Sequence, residues 1–394
     1  MTHRLYYTNS YLLDFEAAVT GRSADGRRVY LDQTAFYPTS GGQPFDTGEL
    51  RGIRVVEVVD EGERIAHLLA APLVDQRVAG RIDWPRRFDH MQQHTGQHLL
   101  SAVIAELLKR TTLSVHFGKE AGTIDLEGRP PTTAEIARVE LRANEVVTEN
   151  RPVDVEFQEA RAAEGLRKPS AREGSLRIVT IRDLDRSACG GTHVRATGEI
   201  GPILIRRVER IGTGMRMEFV CGGRAIRHVQ RDHDVLTHLA ADLTAAPAEL
   251  PQLIQTMRSD LRKLRAECQE IKGELHRLRA RELYSGTSPD SDGIRRVLFR
   301  EDNGPMERLK RLAQVFASMP KAVFVGATSN PLAVLVAASP DSGLDAGKVL
   351  KSLLGEVGGR GGGSAVLAQG VVAEADQLER VIGSLLHSAE RGTM

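Results

Sequence analysis

The period of the hydrophobic pattern changes several times along the chain, and each change marks an expected element. Arg28-Val-Tyr-Leu-Asp-Gln-Thr-Ala-Phe36 alternates as a strand does, and Ile53-Arg-Val-Val-Glu-Val-Val59 is rich in β-branched residues. Residues 1–85 are therefore expected to form a small β domain. Between these runs lies Pro38-Thr-Ser-Gly-Gly-Gln-Pro-Phe-Asp-Thr-Gly48, a turn-rich loop whose glycines would also let backbone approach a ligand. Asp89 is placed to cap a helix over about 90–109. On a helical wheel Leu99, Leu100, Val103 and Leu107 of that helix point to a core, whereas His94 and His98 share a face with Ser101, Ala102 and Ala105. Ser114–Gly118 and Gly122–Leu126 read as strands. Thr132-x-x-Glu135 is a capping box, and the helix after it places Ile136, Val139, Ala143 and Val146 on one face.

Residues 153–182 read as mixed strand and loop. Gly201–Ile211 is an expected strand carrying Arg206, Arg207 and Arg210, and Met215–Gly223 reads as another. Within it, Cys221 is expected to act as a small buried hydrophobe. From 226 to 284 the pattern becomes heptadic. Ile254, Met257, Leu261, Leu264, Cys268, Ile271, Leu275 and Leu278 are spaced by alternating steps of three and four. A helical hairpin or a dimeric coiled coil would each satisfy that seam. Residues 285–394 read as a separate α/β domain, with buried strands at 322–325 and 333–338 and a helix at 348–354. Six glycines around Arg360, over 355–363, read as a mobile loop whose amides are free to cradle a phosphate.

A length of 394 residues allows two or three domains, and 41% hydrophobic with 27% charged residues is ordinary for a globular protein. A net charge of +1 means that any nucleic-acid contact must come from local patches. No apolar run reaches the length of a membrane span, and the N-terminus has no apolar h-region. The three cysteines do not make a disulfide framework, so a cytoplasmic location is expected.

Two short stretches carry the chemistry. His94-Thr-Gly-Gln-His98 puts two imidazoles one turn apart on a helix, able to grip one ion. Cys189-Gly-Gly-Thr-His193 suits a tight loop that turns a thiolate and an imidazole to one point. Neither half alone specifies a metal site. Together they supply three imidazoles and one thiolate, the ligand set of a tetrahedral zinc. Asp183 and Asp185 just before the loop are candidates to orient a histidine, and His116 lies near the site in sequence.

The same residues resemble the editing domain of alanyl-tRNA synthetases and its free-standing AlaX relatives. Thr39-Ser-Gly-Gly-Gln-Pro-Phe-Asp-Thr-Gly48 looks like the family's glycine-rich motif, and Thr197-Gly-Glu-Ile-Gly201 is also similar. Gly358-Gly-Arg-Gly-Gly-Gly363 resembles the DHHA1-type C-terminal domain. The order is that of the long AlaX form, with no aminoacylation domain before it. The resemblance implies an α+β multidomain fold: a small β-barrel domain (1–85), a zinc-binding editing domain (86–225), a helical hairpin or coiled-coil linker (226–284) and a DHHA1-like domain (285–394). It implies one Zn2+ held by His94, His98, Cys189 and His193. It implies hydrolysis, in trans, of the ester joining serine or glycine to the acceptor end of tRNA(Ala). Gln97, Ser114 and Thr192 are candidates for choosing the amino acid. Arg206, Arg207 and Arg360 are candidates for tRNA phosphates, and the helical arm or C-terminal domain for a homodimer contact. DHHA1 domains also accompany phosphodiesterases, but no Asp-His-His occurs here, so that activity is not expected. The alternative is a non-catalytic, zinc-containing tRNA-binding protein.

Overall fold

The computed structural model describes residues 1–169, 173–302 and 306–387. The chain divides into two compact units, Met1–Pro247 and Ala248–Met394. The division falls inside the expected 226–284 segment.

The first unit opens with a closed six-stranded barrel of β1 (Asp14–Arg22), β2 (Arg28–Leu31), β3 (Gly48–Leu50), β4 (Ile53–Asp60), β5 (Ile65–Leu69) and β6 (Arg77–Ile82), in the order β1-β2-β5-β4-β3-β6. Strict alternation, as in β6, sends Val78 and Ile82 inward to meet Val29, Leu50 and Val55.

Helix α1 (Trp84–Leu108) follows at once. It begins six residues before the expected start, because Asp83 stands at the N-cap and Pro85 fits the first turn. Asp89 is thus not a cap. It lies inside the helix and pairs with Arg224 at 2.7 Å. The helix ends at Lys109, in the left-handed region with φ 53°. Strands β7 (Thr112–Phe117) and β8 (Gly122–Leu126) come next, then α2 (Thr133–Glu149), whose expected capping box is present in full.

A three-stranded antiparallel sheet is built from β9 (Val153–Glu159), β10 (Ser175–Ile181) and β11 (Asp185–Ala188). Strands β12 (Ile203–Ile211) and β13 (Gly214–Cys221) complete a second sheet in the order β12-β13-β8-β7. Helices α1 and α2 pack their apolar faces on these sheets through Leu99, Val103, Val139, Ile124 and Met217. Cys221 is fully buried in that core, as expected. A Cβ at position 96 would lie 2.3 Å from its sulfur, so Gly96 of the histidine stretch lets α1 sit down on the sheet. Helix α3 (Gly222–Asp242) ends the unit.

The second unit begins with α4 (Leu250–Gly286). Its sheet, in the order β14-β15-β16-β18-β17, is made of β14 (Arg295–Glu301), β15 (Ala322–Ser329), β16 (Leu332–Ala338), β17 (Arg360–Gly363) and β18 (Leu367–Val371). Helices α5 (Met306–Phe316), α6 (Ala346–Glu356) and α7 (Ala375–His387) cover it. The glycine run is not the expected loop along its whole length. Its second half is the edge strand β17, paired with β18 from Arg360↔Val371 to Gly363↔Ala368. Side chains there would collide with the neighbour: a Cβ at 361 would come within 2.4 Å of the Gln369 carbonyl and one at 363 within 2.2 Å of the Leu367 carbonyl. Close strand approach, rather than mobility, accounts for these glycines. The heptad seam of α4 is solvent-exposed within its own unit, with Leu264 61% and Leu278 63% exposed.

Candidate metal centre

Four donors meet where α1 faces the loop after β11. His94, His98, Cys189 and His193 offer ligand atoms that all lie within 4.8 Å of one another, the arrangement of a group able to hold a metal ion. Helical spacing brings His94 and His98 to a ring separation of 5.3 Å. The loop brings Cys189 Sγ to 3.3 Å from Nε2 of His94 and 3.3 Å from Nε2 of His193. Gly191 is demanded by this approach, since a Cβ there would fall 2.1 Å from the His94 ring.

Each imidazole is fixed through its other nitrogen. His94 Nδ1 lies 2.8 Å from Gln43 Oε1, His98 Nδ1 2.9 Å from Asp185 Oδ2, and His193 Nδ1 3.1 Å from Thr95 Oγ1. The outer groups are themselves held. Gln43 donates to Thr192 Oγ1 at 2.8 Å and accepts from the Thr192 amide. Arg167 donates to Asp185 Oδ1 at 2.6 Å. A buried ion pair, Arg87 with Asp46, ties the glycine-rich loop that carries Gln43 to α1. Arg87 also donates to the backbone carbonyl of Ala35 at 2.6 Å.

The electrostatics match the donor set. Burial pushes the Cys189 thiol up, but the His94 and His193 rings outweigh it and hold the thiol well below its ordinary value. Burial, reinforced by His94, holds His193 down at about 3. Burial also works against a charged His98, yet Asp185 and Cys189 more than reverse it and raise it to about 9.

Three of the donors, His94, His98 and Cys189, line a cavity of about 480 Å³, whose walls also include Tyr7, Gly41, Gln97, Ser114, Phe157 and Arg177. Gln97 and Ser114 therefore face the space beside the donors. Thr192 does not. It is fully buried behind the loop, where it holds Gln43. Asp185 takes the expected place behind a histidine, whereas Asp183 sits in a left-handed turn, φ 55°, outside the cluster. His116 is exposed on β7. Arg206 pairs with Asp232 and Arg207 with Glu209, both on the outer strand β12 and neither at the cavity. Arg360 lies exposed on β17 of the other unit. Sequence reasoning assigned no role to Gln43, Thr95, Arg167 or Arg177. Gln43 and Thr95 left a trace, as parts of the quoted glycine-rich motif and of the His94–His98 stretch.

The profile described as the Threonyl and Alanyl tRNA synthetase second additional domain matches residues 176–216, and that of the DHHA1 domain matches residues 295–389. The alanine–tRNA ligase of Pyrococcus abyssi is 31% identical over 98% of this chain, and that of Pyrococcus furiosus is 32% identical over 98%. The ligase of Korarchaeum cryptofilum is 35% identical over 98%. The chain spans less than half of these relatives: 43%, 44% and 45% of their lengths. Among solved structures, the C-Ala domain of Aquifex aeolicus alanyl-tRNA synthetase is 24% identical over 23% of this chain and 84% of its own, with a TM-score of 0.20. With both domains in order and the matches running almost end to end, the chain is an AlaX-like relative of the alanyl-tRNA synthetases.

Proposed function

We propose that the protein is a trans-editing hydrolase that deacylates mischarged tRNA(Ala), carrying serine or glycine, at a zinc site. The observation that carries this reading is the convergence of three Nε2 atoms and one thiolate beside a cavity that three of the four residues line, in a chain related to alanine–tRNA ligases. The residues fit the metal. A tetrahedral zinc with bonds of about 2.0–2.1 Å to nitrogen and about 2.3 Å to sulfur has an N···S edge of about 3.5 Å. Of the three such edges in this cluster, those from His94 and His193 to Cys189 are 3.3 Å each, and the His98 edge is within 4.8 Å. Holding each Nδ1 elsewhere reserves Nε2 for the ion, the usual device at histidine-ligated metals.

When bound, zinc supplies Lewis acidity for activating water or polarising the ester carbonyl. Four protein donors fill a tetrahedron, so it also shapes and anchors the acyl pocket. The chain's own residues supply selection. Gln97 donates through Nε2 to Ser101 Oγ at 2.8 Å, which leaves its amide oxygen to accept from a substrate hydroxyl. Ser114 donates to Asp125 at 2.6 Å, which leaves oxygen lone pairs toward the cavity. An alanyl ester lacks the hydroxyl these acceptors expect and would leave them unpaired, so it is disfavoured. Thr192 contributes by fixing Gln43. Arg206, Arg207 and Arg360 are proposed as phosphate contacts for the tRNA body, and the exposed seam of α4 as a homodimer contact.

The test is deacylation of seryl-tRNA(Ala) beside alanyl-tRNA(Ala). The wild type should release serine faster, and Gln97→Leu or Ser114→Ala should narrow the ratio about tenfold or more. An unchanged ratio in both variants would remove these residues from selection. Tight tRNA binding without turnover would favour the non-catalytic zinc protein.

A further inference from the structure

The cavity is larger than a seryl group requires, and its wall beside the donors has a distinct character. Three cations line it, Arg167, Lys168 and Arg177, and among the described residues no aspartate or glutamate does. Arg167 is occupied by Asp185. Arg177 is not matched by any carboxylate among the described residues, although it is only 8% exposed. Its Nε donates to the Tyr7 carbonyl at 2.9 Å and its Nη1 to the Cys189 carbonyl at 2.7 Å. Nη2 has no protein acceptor among the described residues.

Register places an aromatic beside it. Phe157 on β9 is the direct partner of Arg177 on β10, so both side chains stand on one face of the sheet. Phe157 is 50% exposed at the cavity wall, as is Leu113. On the neighbouring strand β11, Asp185, Ser187 and then Cys189 follow at alternate positions. One small sheet thus carries the carboxylate that orients His98 and an exposed aromatic paired with a buried arginine, and the residue that follows its last strand is a donor of the metal centre.

We infer that the Phe157–Arg177 pair is the subsite for the terminal nucleotide that bears the acyl group: its base stacks on Phe157 and its phosphate takes the free guanidinium nitrogen of Arg177. This rests on the proposed editing reading. An aromatic face and a cation with no carboxylate partner among the described residues are the two elements that hold single-stranded nucleic acid without base-edge readout. Their place beside the donors sets the ester over the metal centre.

The experiment uses the full-length protein and two probes: uncharged tRNA(Ala) with its intact 3′ end, and the same tRNA lacking the terminal adenosine. The wild type should bind the intact end at least fivefold more tightly. Phe157→Ala should bind both alike, and Phe157→Tyr should keep the preference. In deacylation, Phe157→Ala should raise KM by about the same factor with kcat retained. Arg177→Gln, checked for retained metal because Arg177 also bonds the Cys189 carbonyl, should lower the slope of log affinity against log salt by roughly 0.7. Unchanged affinity and KM in Phe157→Ala would overturn the subsite while leaving the editing reading intact. A preference for the intact end, lost in Phe157→Ala, in a protein that hydrolyses nothing would do the reverse.

Discussion

Two buried histidine environments in the first unit show how this fold separates structure from chemistry. His67 lies in the barrel, fully buried, and both its nitrogens are consumed by the protein: Nδ1 meets the Val29 carbonyl at 3.2 Å and Nε2 meets Thr34 Oγ1 at 2.8 Å. A carbonyl can only accept, so Nδ1 carries the proton and Nε2 accepts from the threonine hydroxyl. Across the unit, His94, His98 and His193 are nearly as buried, but each spends only Nδ1 on the fold. Their remaining nitrogens gather round a thiolate. Burial alone does not mark a ligand. The convergence of free nitrogens on one point with a thiolate is what sets the candidate ligands apart.

The comparison can be broken in several ways. The largest effect concerns the metal. His94→Ala should lower bound zinc from about one per chain to near zero, read by elemental analysis of purified protein, whereas His67→Gln should leave metal content unchanged. Loss of metal in both would erase the distinction. A smaller effect is expected one layer out: Asp185→Asn removes the carboxylate that orients His98 and should weaken zinc affinity about 10- to 100-fold, measured by chelator competition.

The barrel histidine should reveal itself by acid. Burial holds His67 down at about 4, against 6.5 for the unfolded imidazole. Between those values the unfolded chain binds the extra proton, so stability falls as pH drops through that window. The loss from pH 7 to pH 5 is about 2 kcal/mol for this group. Denaturant melts should show that pH difference reduced by about 2 kcal/mol in His67→Gln, and an equal difference in both proteins would contradict the assignment. The smallest effect is Thr34→Val, which leaves Nε2 of His67 without its donor and the Phe36 amide without its acceptor and should cost about 1–2 kcal/mol in the same melts.

The sequence made the donors legible because their spacing is local. Helical geometry links His94 to His98, and one tight loop links Cys189 to His193. Of the groups that aim them, Asp185 and Thr95 lie in or beside the two stretches, but others are not local. Gln43 comes from the barrel's glycine-rich loop, 51 residues from its histidine, and Arg177 from a strand with no motif of its own. Only folding places them. The first turn of α1 lies outside what capping residues reveal, because Asp83 holds the N-cap position without a side-chain cap bond, and Pro85 fits the first turn. The glycine run over 355–363 shows the opposite limit. Composition reads as a loop, while the close approach that requires glycine in β17 is set by Leu367–Gln369 across the strand pair.

The central claim is that the four converging donors make a hydrolytic centre for a mischarged tRNA ester. The most direct measurement compares zinc-loaded wild type with Cys189→Ala on seryl-tRNA(Ala), following release of serine with metal content determined on the same samples. The account predicts rapid release by the wild type and at least a 100-fold loss in the variant, together with loss of metal. Equal rates in the two proteins, or no release by the metal-loaded wild type, would contradict it.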